Sequence, residues 1–521
     1  MRIIPMTSPA RLQLLAALFL ALASPTFAQD DQRAQQPAER QEARRPRADT
    51  EPRLPPESVT RHTIELPGRT IKLTATAGSL TLTNPEGVPQ AEYAFVAYLR
   101  DDEDLANRPV TFAVNGGPGA SSAYLNLLAM GPWRLSLDGS SISPSKPAVV
   151  APNAETWLDF TDLVFIDPPG TGYSRVLGGD QVRERFYSVQ GDIDGLSAFI
   201  VRWLKEKNRL RSPKFFAGES YGGFRGPLVA EKLQSDLGVG LSGLVLVSPV
   251  LDFDWIEQPT HAPWVDAARL PSMAAAALAQ RGPVSRVALE EAERYASGEY
   301  LVDLMRGVVD KAAVDRVAKR TSELTGLDPA LTQRLAGRID TRTFQRELRR
   351  SSARIVSAYD TDVSSADPNP HAESSRFVDP VLGAMTAPLT SAMIDHLSRM
   401  LNYKPDGRYE LLNGAVSRAW KWESGRDTPE NVAELRQTLA LDGKMRVLVT
   451  HGFTDLVTPY FATQLLLNQL PDFGPERRVA LKVYDGGHMF YSRDASRRAF
   501  RDDVRQLFDE ALKARAITNG N

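Results

Sequence analysis

Gly218-Glu219-Ser220-Tyr221-Gly222 is a G-x-S-x-G pentapeptide. It follows the apolar run Phe215-Phe216-Ala217 and precedes a stretch of helical composition, about Gly223 to Leu237. This context predicts a serine on a tight strand-to-helix turn, where bulkier neighbours than glycine would strike the adjoining strand and helix. Such a turn exposes the hydroxyl as a nucleophile, which then needs a base for its proton and an acid behind the base. The pentapeptide alone also arises by chance, so the rest of the chain must supply both partners.

The chain has six histidines. His62 precedes the serine, and His261, His371 and His396 fall in or beside a helical block. His451 and His488 each follow a strand-like run directly, in His451-Gly452-Phe453-Thr454-Asp455 and Gly486-Gly487-His488-Met489. The order serine, acid, histidine selects Ser220, Asp455 and His488. Asp485 is the competing acid, but three residues before His488 it is expected to satisfy local backbone donors. His451 is the competing base, in the wrong order; it is expected either to bond local backbone or to line the cleft. A plain core or surface role is the alternative for His488. Asn115-Gly116-Gly117-Pro118-Gly119 follows another strand-like run. Its peptide N–H groups could join that of Tyr221 in stabilising an oxyanion. A phosphate loop is the competing reading, weakened because no Lys-Ser/Thr follows.

Short runs with near-continuous apolar character are expected where both faces of a parallel sheet are covered. Val110–Val114, Leu163–Ile166, Phe215–Ala217, Leu244–Val247, Met445–Thr450 and Val479–Tyr484 fit, with helices expected over Ile193–Lys207, Gly223–Leu237 and Ser496–Arg515. Thr63 to Leu82 predicts short antiparallel strands with turns at Pro67-Gly68 and Ala77-Gly78, continued by Ala91–Leu99. Between the two halves lies a mostly helical block, with helices expected at 272–280, 284–295, 309–319, 329–335, 344–357, 387–401 and 428–439, and a polar loop at 360–370. The expected organisation is an α/β core at 60–252 and 440–521 with a helical insertion at 253–439. A separate helical domain followed by an unrelated module is the alternative.

Arg2 and Arg11 precede the almost wholly apolar run Leu12–Ala23, and Thr26-Phe27-Ala28 sets small residues at a cleavage site. Residues 1–28 therefore read as a secretory signal, too short for a membrane span, with no stable membrane insertion after cleavage. An uncleaved N-terminal anchor is the alternative. Residues 29–59 are rich in proline and mixed charge and read as a disordered linker. The 521 residues carry 62 Lys+Arg against 64 Asp+Glu, a net charge of -2 that disfavours a broad nucleic-acid surface. With no cysteine, thiolate catalysis, disulfides and cysteinyl metal sites are excluded. No spaced His/Asp cluster suggests a metal or cofactor. Export without disulfides points to a periplasmic or extracellular bacterial protein. Oligomeric state leaves no mark in the sequence.

With these residues in view, the chain resembles the serine carboxypeptidases (peptidase family S10), bacterial exported type, within the α/β-hydrolase fold. The matching segments are Asn115–Ser122, Asp167-Pro168-Pro169-Gly170-Thr171-Gly172-Tyr173-Ser174, Gly218–Gly223, Asp455-Leu456-Val457-Thr458-Pro459 and Gly487-His488-Met489. The resemblance implies an α/β-hydrolase core with a large, mainly helical cap, and a catalytic triad of Ser220, Asp455 and His488. It further implies oxyanion donors Gly117 and Tyr221, and recognition of a peptide's free C-terminal carboxylate by Asn115, Gly116 and Glu219. No cofactor is implied. Two like charges sharing a site oppose joint ionisation, so Glu219 is expected to be protonated when it meets that carboxylate. Two positions depart from many eukaryotic members: Ala113 stands where a tryptophan is usual, removing one donor from the carboxylate network, and Ala120 where a cysteine is usual. An esterase or acyltransferase with the same triad, or a secreted binding protein without turnover, are the alternative functions.

Overall fold

Strands whose two faces are both covered carry apolar side chains at every position, and the side chains on alternate positions enter two different cores. A computed structural model of the protein shows this arrangement. It describes residues 54–516 except 102, 106, 137–142, 146, 257–260 and 423–427. The expected signal (1–28) and all but the last residues of the expected linker lie outside the described residues.

The strands are β1 (Ser58–Leu66), β2 (Arg69–Thr83), β3 (Pro89–Arg100), β4 (Val110–Val114), β5 (Trp133–Leu135), β6 (Val150–Pro152), β7 (Asp162–Ile166) and β8 (Arg175–Val176). They continue with β9 (Lys214–Glu219), β10 (Gly243–Val247), β11 (Arg354–Val356), β12 (Ser364–Ala366), β13 (Arg446–Gly452) and β14 (Val479–Tyr484). The main sheet runs β1-β2-β3-β7-β4-β9-β10-β13-β14, with β8 beside β3. Its first part is antiparallel. From β7 to β14 neighbouring strands are parallel, linked by helical crossovers.

Alternation divides the core cleanly. Phe112, Phe216, Leu246 and Val449 face helices Val189–Glu206, Tyr221–Ser235 and Val432–Leu441. Ala113, Phe215, Val247 and Leu448 face the other way, toward helix Asp494–Ala516 and helix Pro380–Asp395. β10 and β13 are direct neighbours in the sheet, although about 200 residues separate them in the chain. The intervening block is therefore inserted into a continuous sheet. Its own core gathers Leu270, Ala274, Leu289, Tyr300 and Val317 against Phe453, Tyr460 and Phe461.

Several elements differ from expectation. β1 starts at Ser58, inside the expected linker, because its alternating pattern pairs with β2 in full register. No turn occurs at Ala77-Gly78; β2 runs through, and Gly78 leaves room for the Glu57 side chain. The helix expected at 272–280 begins at Pro263, with Pro271 accommodated inside it. The helix expected at 344–357 ends at Glu347, and Arg354–Val356 pairs instead with Ser364–Ala366. The boundary expected at residue 439 cuts helix Val432–Leu441, whose Leu435 and Leu439 pack in the sheet's own core. Among the described residues no helix is long and apolar enough to cross a membrane.

Candidate active site

Ser220 sits between β9 and helix Tyr221–Ser235 with φ 60° and ψ -123°, in the left-handed region that L side chains seldom occupy. Its N–H bonds the carbonyl of Val247 at 2.9 Å, tying the turn to β10. The flanking glycines answer a packing requirement: a Cβ on Gly218 would collide with the Gly222 carbonyl, and one on Gly222 with the Val114 carbonyl. Ser220 is half-buried and opens into a cavity of about 190 Å³.

The loops after β13 and β14 supply the other two residues. His488 Nδ1 lies 2.7 Å from Asp455 Oδ2, with both side chains almost fully buried. Asp455 Oδ1 accepts the N–H groups of Val457 and Thr458 at 2.8 and 3.0 Å. The Thr458 hydroxyl adds a contact of 2.7 Å to Asp455 Oδ2 and lies 3.1 Å from His488 Nδ1. Asp455 is thereby held so that it fixes the imidazole's orientation. Burial disfavours a charged His488, yet the Asp455 carboxylate and its hydrogen bond, with Glu219 beyond, outweigh it and raise the pKa above the ordinary value. His488 and Ser220 line the same cavity. No hydrogen bond joins them among the described contacts, a common state before substrate closes the geometry.

Asn115, Gly116, Gly117 and Glu219 line that cavity too. The glycine loop approaches the serine turn so closely that a Cβ on Gly116 would lie 2.6 Å from Tyr221 N. Gly117 has φ +105°, a conformation that favours glycine. Glu219 Oε2 accepts from Asn115 Nδ2 at 2.9 Å and from the Tyr491 hydroxyl at 2.6 Å. Burial raises the Glu219 pKa; His488, Tyr491 and Asn115 work against that shift without reversing it. Asn115 is itself fixed, its Oδ1 accepting from Leu125 N at 3.0 Å and its carbonyl from Arg225 Nη1 at 2.5 Å. Arg225 is buried in an ion pair with Asp192 at 2.6 Å.

Thus all eight residues singled out from the sequence meet at one site. The competitors lie elsewhere. His451 is fully buried outside the cleft, bonds the Thr463 hydroxyl at 2.9 Å and has a backbone contact to Thr458, and burial lowers its pKa to about 4. Asp485 does not serve local backbone: it accepts from Val284 N at 3.0 Å and pairs with Arg493 at 2.6 Å. Sequence reasoning missed Tyr491, Arg225 and Asp192. Tyr491 lies three residues past His488, but nothing in its neighbours marks a hydroxyl aimed at Glu219. Thr458 lies within the Asp455–Pro459 segment, but no local sequence signal marks its hydroxyl as a partner of Asp455. The cavity is further walled by Ala120, Tyr124, Tyr359, Leu382 and Met489, by Val250, Phe253, Ile256, Leu412 and Trp422, and by Val457 and Thr458.

A parallel sheet carrying a serine turn after one strand and an Asp–His pair on loops after two later strands defines an α/β-hydrolase with a mainly helical insertion. Residues 71–277 match the family model described as serine carboxypeptidase. Over 152 residues the chain is 32% identical to the pheromone-processing carboxypeptidase KEX1 of Yarrowia lipolytica, covering 28% of this chain and 23% of that protein. Over 163 residues it is 27% identical to serine carboxypeptidase-like 13 of Arabidopsis thaliana, covering 30% of this chain and 36% of that one. The alignments thus span well under half the length of these curated relatives. The fold of a prohormone-processing carboxypeptidase from Saccharomyces cerevisiae, Kex1(delta)p, superposes with a TM-score of 0.53 at 15% identity, over 84% of this chain and 92% of that one. The family match contains the glycine loop and the serine turn and stops short of Asp455 and His488.

Proposed function

We propose that this protein is a serine carboxypeptidase that removes residues from the free C-terminus of peptides. One observation carries this reading: a buried carboxyl group, Glu219, held by Asn115 and Tyr491, lines the same cavity as Ser220. Simple ester hydrolysis has no need of a buried acid beside the nucleophile. A peptide's terminal carboxylate does, because a protonated Glu219 can donate a short hydrogen bond to it while Asn115 and the Gly116 N–H supply neutral donors.

In the proposed cycle His488 Nε2 takes the Ser220 proton as Oγ attacks the carbonyl carbon of the last peptide bond. The N–H groups of Gly117 and Tyr221 hold the oxyanion, and Asp455 stabilises the imidazolium. The imidazolium passes its proton to the departing amine, and the C-terminal amino acid leaves. Water, activated by His488, then hydrolyses the acyl-enzyme and frees Ser220. No step requires a cofactor. Residues 1–28 direct export in this reading, so that the mature chain begins at Gln29, in the periplasm or outside the cell. The two relatives compared are a fungal and a plant protein, and the assignment to a bacterial source rests on the cysteine-free composition.

Ala113 supports one second reading, ester hydrolysis or acyl transfer by the same triad, since it contributes no donor for a carboxylate. Purified protein given an unblocked peptide, its C-terminally amidated twin and an aryl ester, with mass detection, separates these. Stepwise trimming of the unblocked peptide alone is expected. Equal cleavage of both peptides, or turnover of the ester only, refutes the carboxypeptidase.

A further inference from the structure

The segment Ser357–Val363 belongs to the inserted block, yet it bonds to both loops that carry the Asp–His pair. The His488 N–H donates to the Tyr359 carbonyl at 2.6 Å, and the Leu456 N–H donates to that of Ala358 at 2.9 Å. The Thr361 N–H reaches the Thr454 carbonyl at 3.3 Å, while the Thr454 hydroxyl donates to Asp360 Oδ1 at 2.7 Å. The approach leaves no slack: a Cβ on Gly487 would collide with the Tyr359 carbonyl and the Asp360 Cα, and one on Gly452 with the Gly487 carbonyl. The Tyr359 ring stands edge-on to the His488 imidazole, with centroids 5.2 Å apart.

One arginine closes this contact. Arg493, five residues past His488, lies 3.0 Å from Asp360 and 3.3 Å from Asp362 on the inserted segment, and 2.6 Å from Asp485 on the histidine loop. Asp485 in turn receives the Val284 N–H from another part of the insertion. The far end of the segment is anchored by Asp379, which accepts from the Ser357 hydroxyl at 2.6 Å and from Ala358 N at 2.8 Å.

We propose that Asp360 and Arg493 are positioning residues: they clamp the inserted segment onto the Asp455 and His488 loops and thereby set the placement of the imidazole toward Ser220. The insertion is then a part of the catalytic scaffold as well as a wall of the cleft. This rests on the serine-hydrolase chemistry proposed above and is independent of the preference for free peptide ends. Displacing a catalytic group by about 1 Å can cost on the order of 100-fold in rate, so loosening the clamp is expected to act on the chemical step more than on binding.

The test compares Arg493→Met, Arg493→Lys and Asp360→Asn with wild type, and uses Asp303→Asn as control; Asp303 pairs with Arg316 at 2.7 Å within the insertion, away from the site. The readouts are the rate of Ser220 phosphonylation by a fluorophosphonate, which needs the base but no peptide, its pH profile, and the melting temperature. Arg493→Met and Asp360→Asn are expected to slow labelling at least tenfold and move its acidic limb to lower pH, as His488 loses close contact with Asp455. Arg493→Lys should recover part of the rate, and Asp303→Asn should leave rate and limb unchanged. Wild-type rate and limb in both clamp variants overturn the proposal. So does a slowed rate with an unmoved limb and no recovery by lysine, which marks a stability effect only. A wild-type enzyme that labels but trims no peptide refutes the carboxypeptidase reading and leaves this comparison intact; one that does not label at all refutes both.

Discussion

Glu219→Gln is the most informative single change at this site. Glu219 is 3% exposed, and its Oε2 accepts from Asn115 and Tyr491. Burial raises its pKa, so it is neutral over a wider range of pH than a free carboxyl. While neutral it can donate to a peptide carboxylate; once ionised it opposes one. At about 4 Å and an effective dielectric of about 20, two such charges repel by roughly 4 kcal/mol. Since each 1.4 kcal/mol is a factor of about ten, the ceiling is nearly three decades in affinity. One proton is involved, so log KM should climb with a slope approaching one per pH unit above the raised pKa. Glutamine keeps an acceptor for Asn115 and Tyr491 and an N–H donor for the substrate at every pH, so the slope should fall to zero. The variant has a second expected effect. Glu219 contributes to the raised pKa of His488, and its removal should shift the acidic limb of kcat/KM to lower pH. The sign for stability follows from the same shift. The folded state holds the Glu219 proton to higher pH than the unfolded chain does, so wild-type stability declines as pH rises through that window, and the glutamine variant lacks this decline. Steady-state kinetics across pH on an unblocked peptide, with parallel melting curves, measure all three. A KM profile in Glu219→Gln that still rises like the wild type refutes the reasoning.

Ser220→Ala and His488→Ala should each lower kcat by on the order of 10⁴ or more with folding retained, and Asp455→Ala somewhat less; circular dichroism with peptide trimming by mass detection checks this, and near-wild-type turnover in His488→Ala would end the assignment. Thr458→Val removes a hydroxyl 2.7 Å from Asp455 and should cost about 1 kcal/mol, a several-fold loss in kcat with KM little changed. The apolar walls formed by Tyr124, Leu382, Met489, Phe253 and Trp422 offer no counter-charge to a lysine or aspartate side chain. Peptides ending in leucine or phenylalanine should therefore be trimmed about 10–200-fold faster than those ending in lysine, and equal kcat/KM values for the two would count against it. Arg225→Met leaves Asp192 buried without its partner and should destabilise the fold by about 3–5 kcal/mol, read as a drop in melting temperature that Asp192→Asn in the same chain partly reverses.

The sequence by itself determined which residues are candidates for the chemistry and which strands lead into them. A nucleophile turn needs glycines at fixed offsets, and a strand covered on both faces needs an unbroken apolar run; both are local demands, written in consecutive residues. The order serine, acid, histidine then left few choices among six histidines. Composition likewise marked the inserted block, although not its edges: helix Val432–Leu441 reads like its helical neighbours and joins the core only because Leu435 and Leu439 meet the sheet. What the tertiary structure decided were the contacts between residues far apart in the chain. Asp360 lies in a stretch with the composition of a polar loop, and Asp485 has the sequence position of a residue serving its own backbone. Their partners, Thr454, Arg493 and Val284, lie 94, 8 and 201 positions away. Tyr491 bonds Glu219 across 272 positions. A hydrogen bond carries no periodicity and needs no neighbour of a given type. Its donor and acceptor find each other only after the sheet has brought the ends of β9, β13 and β14 to one side.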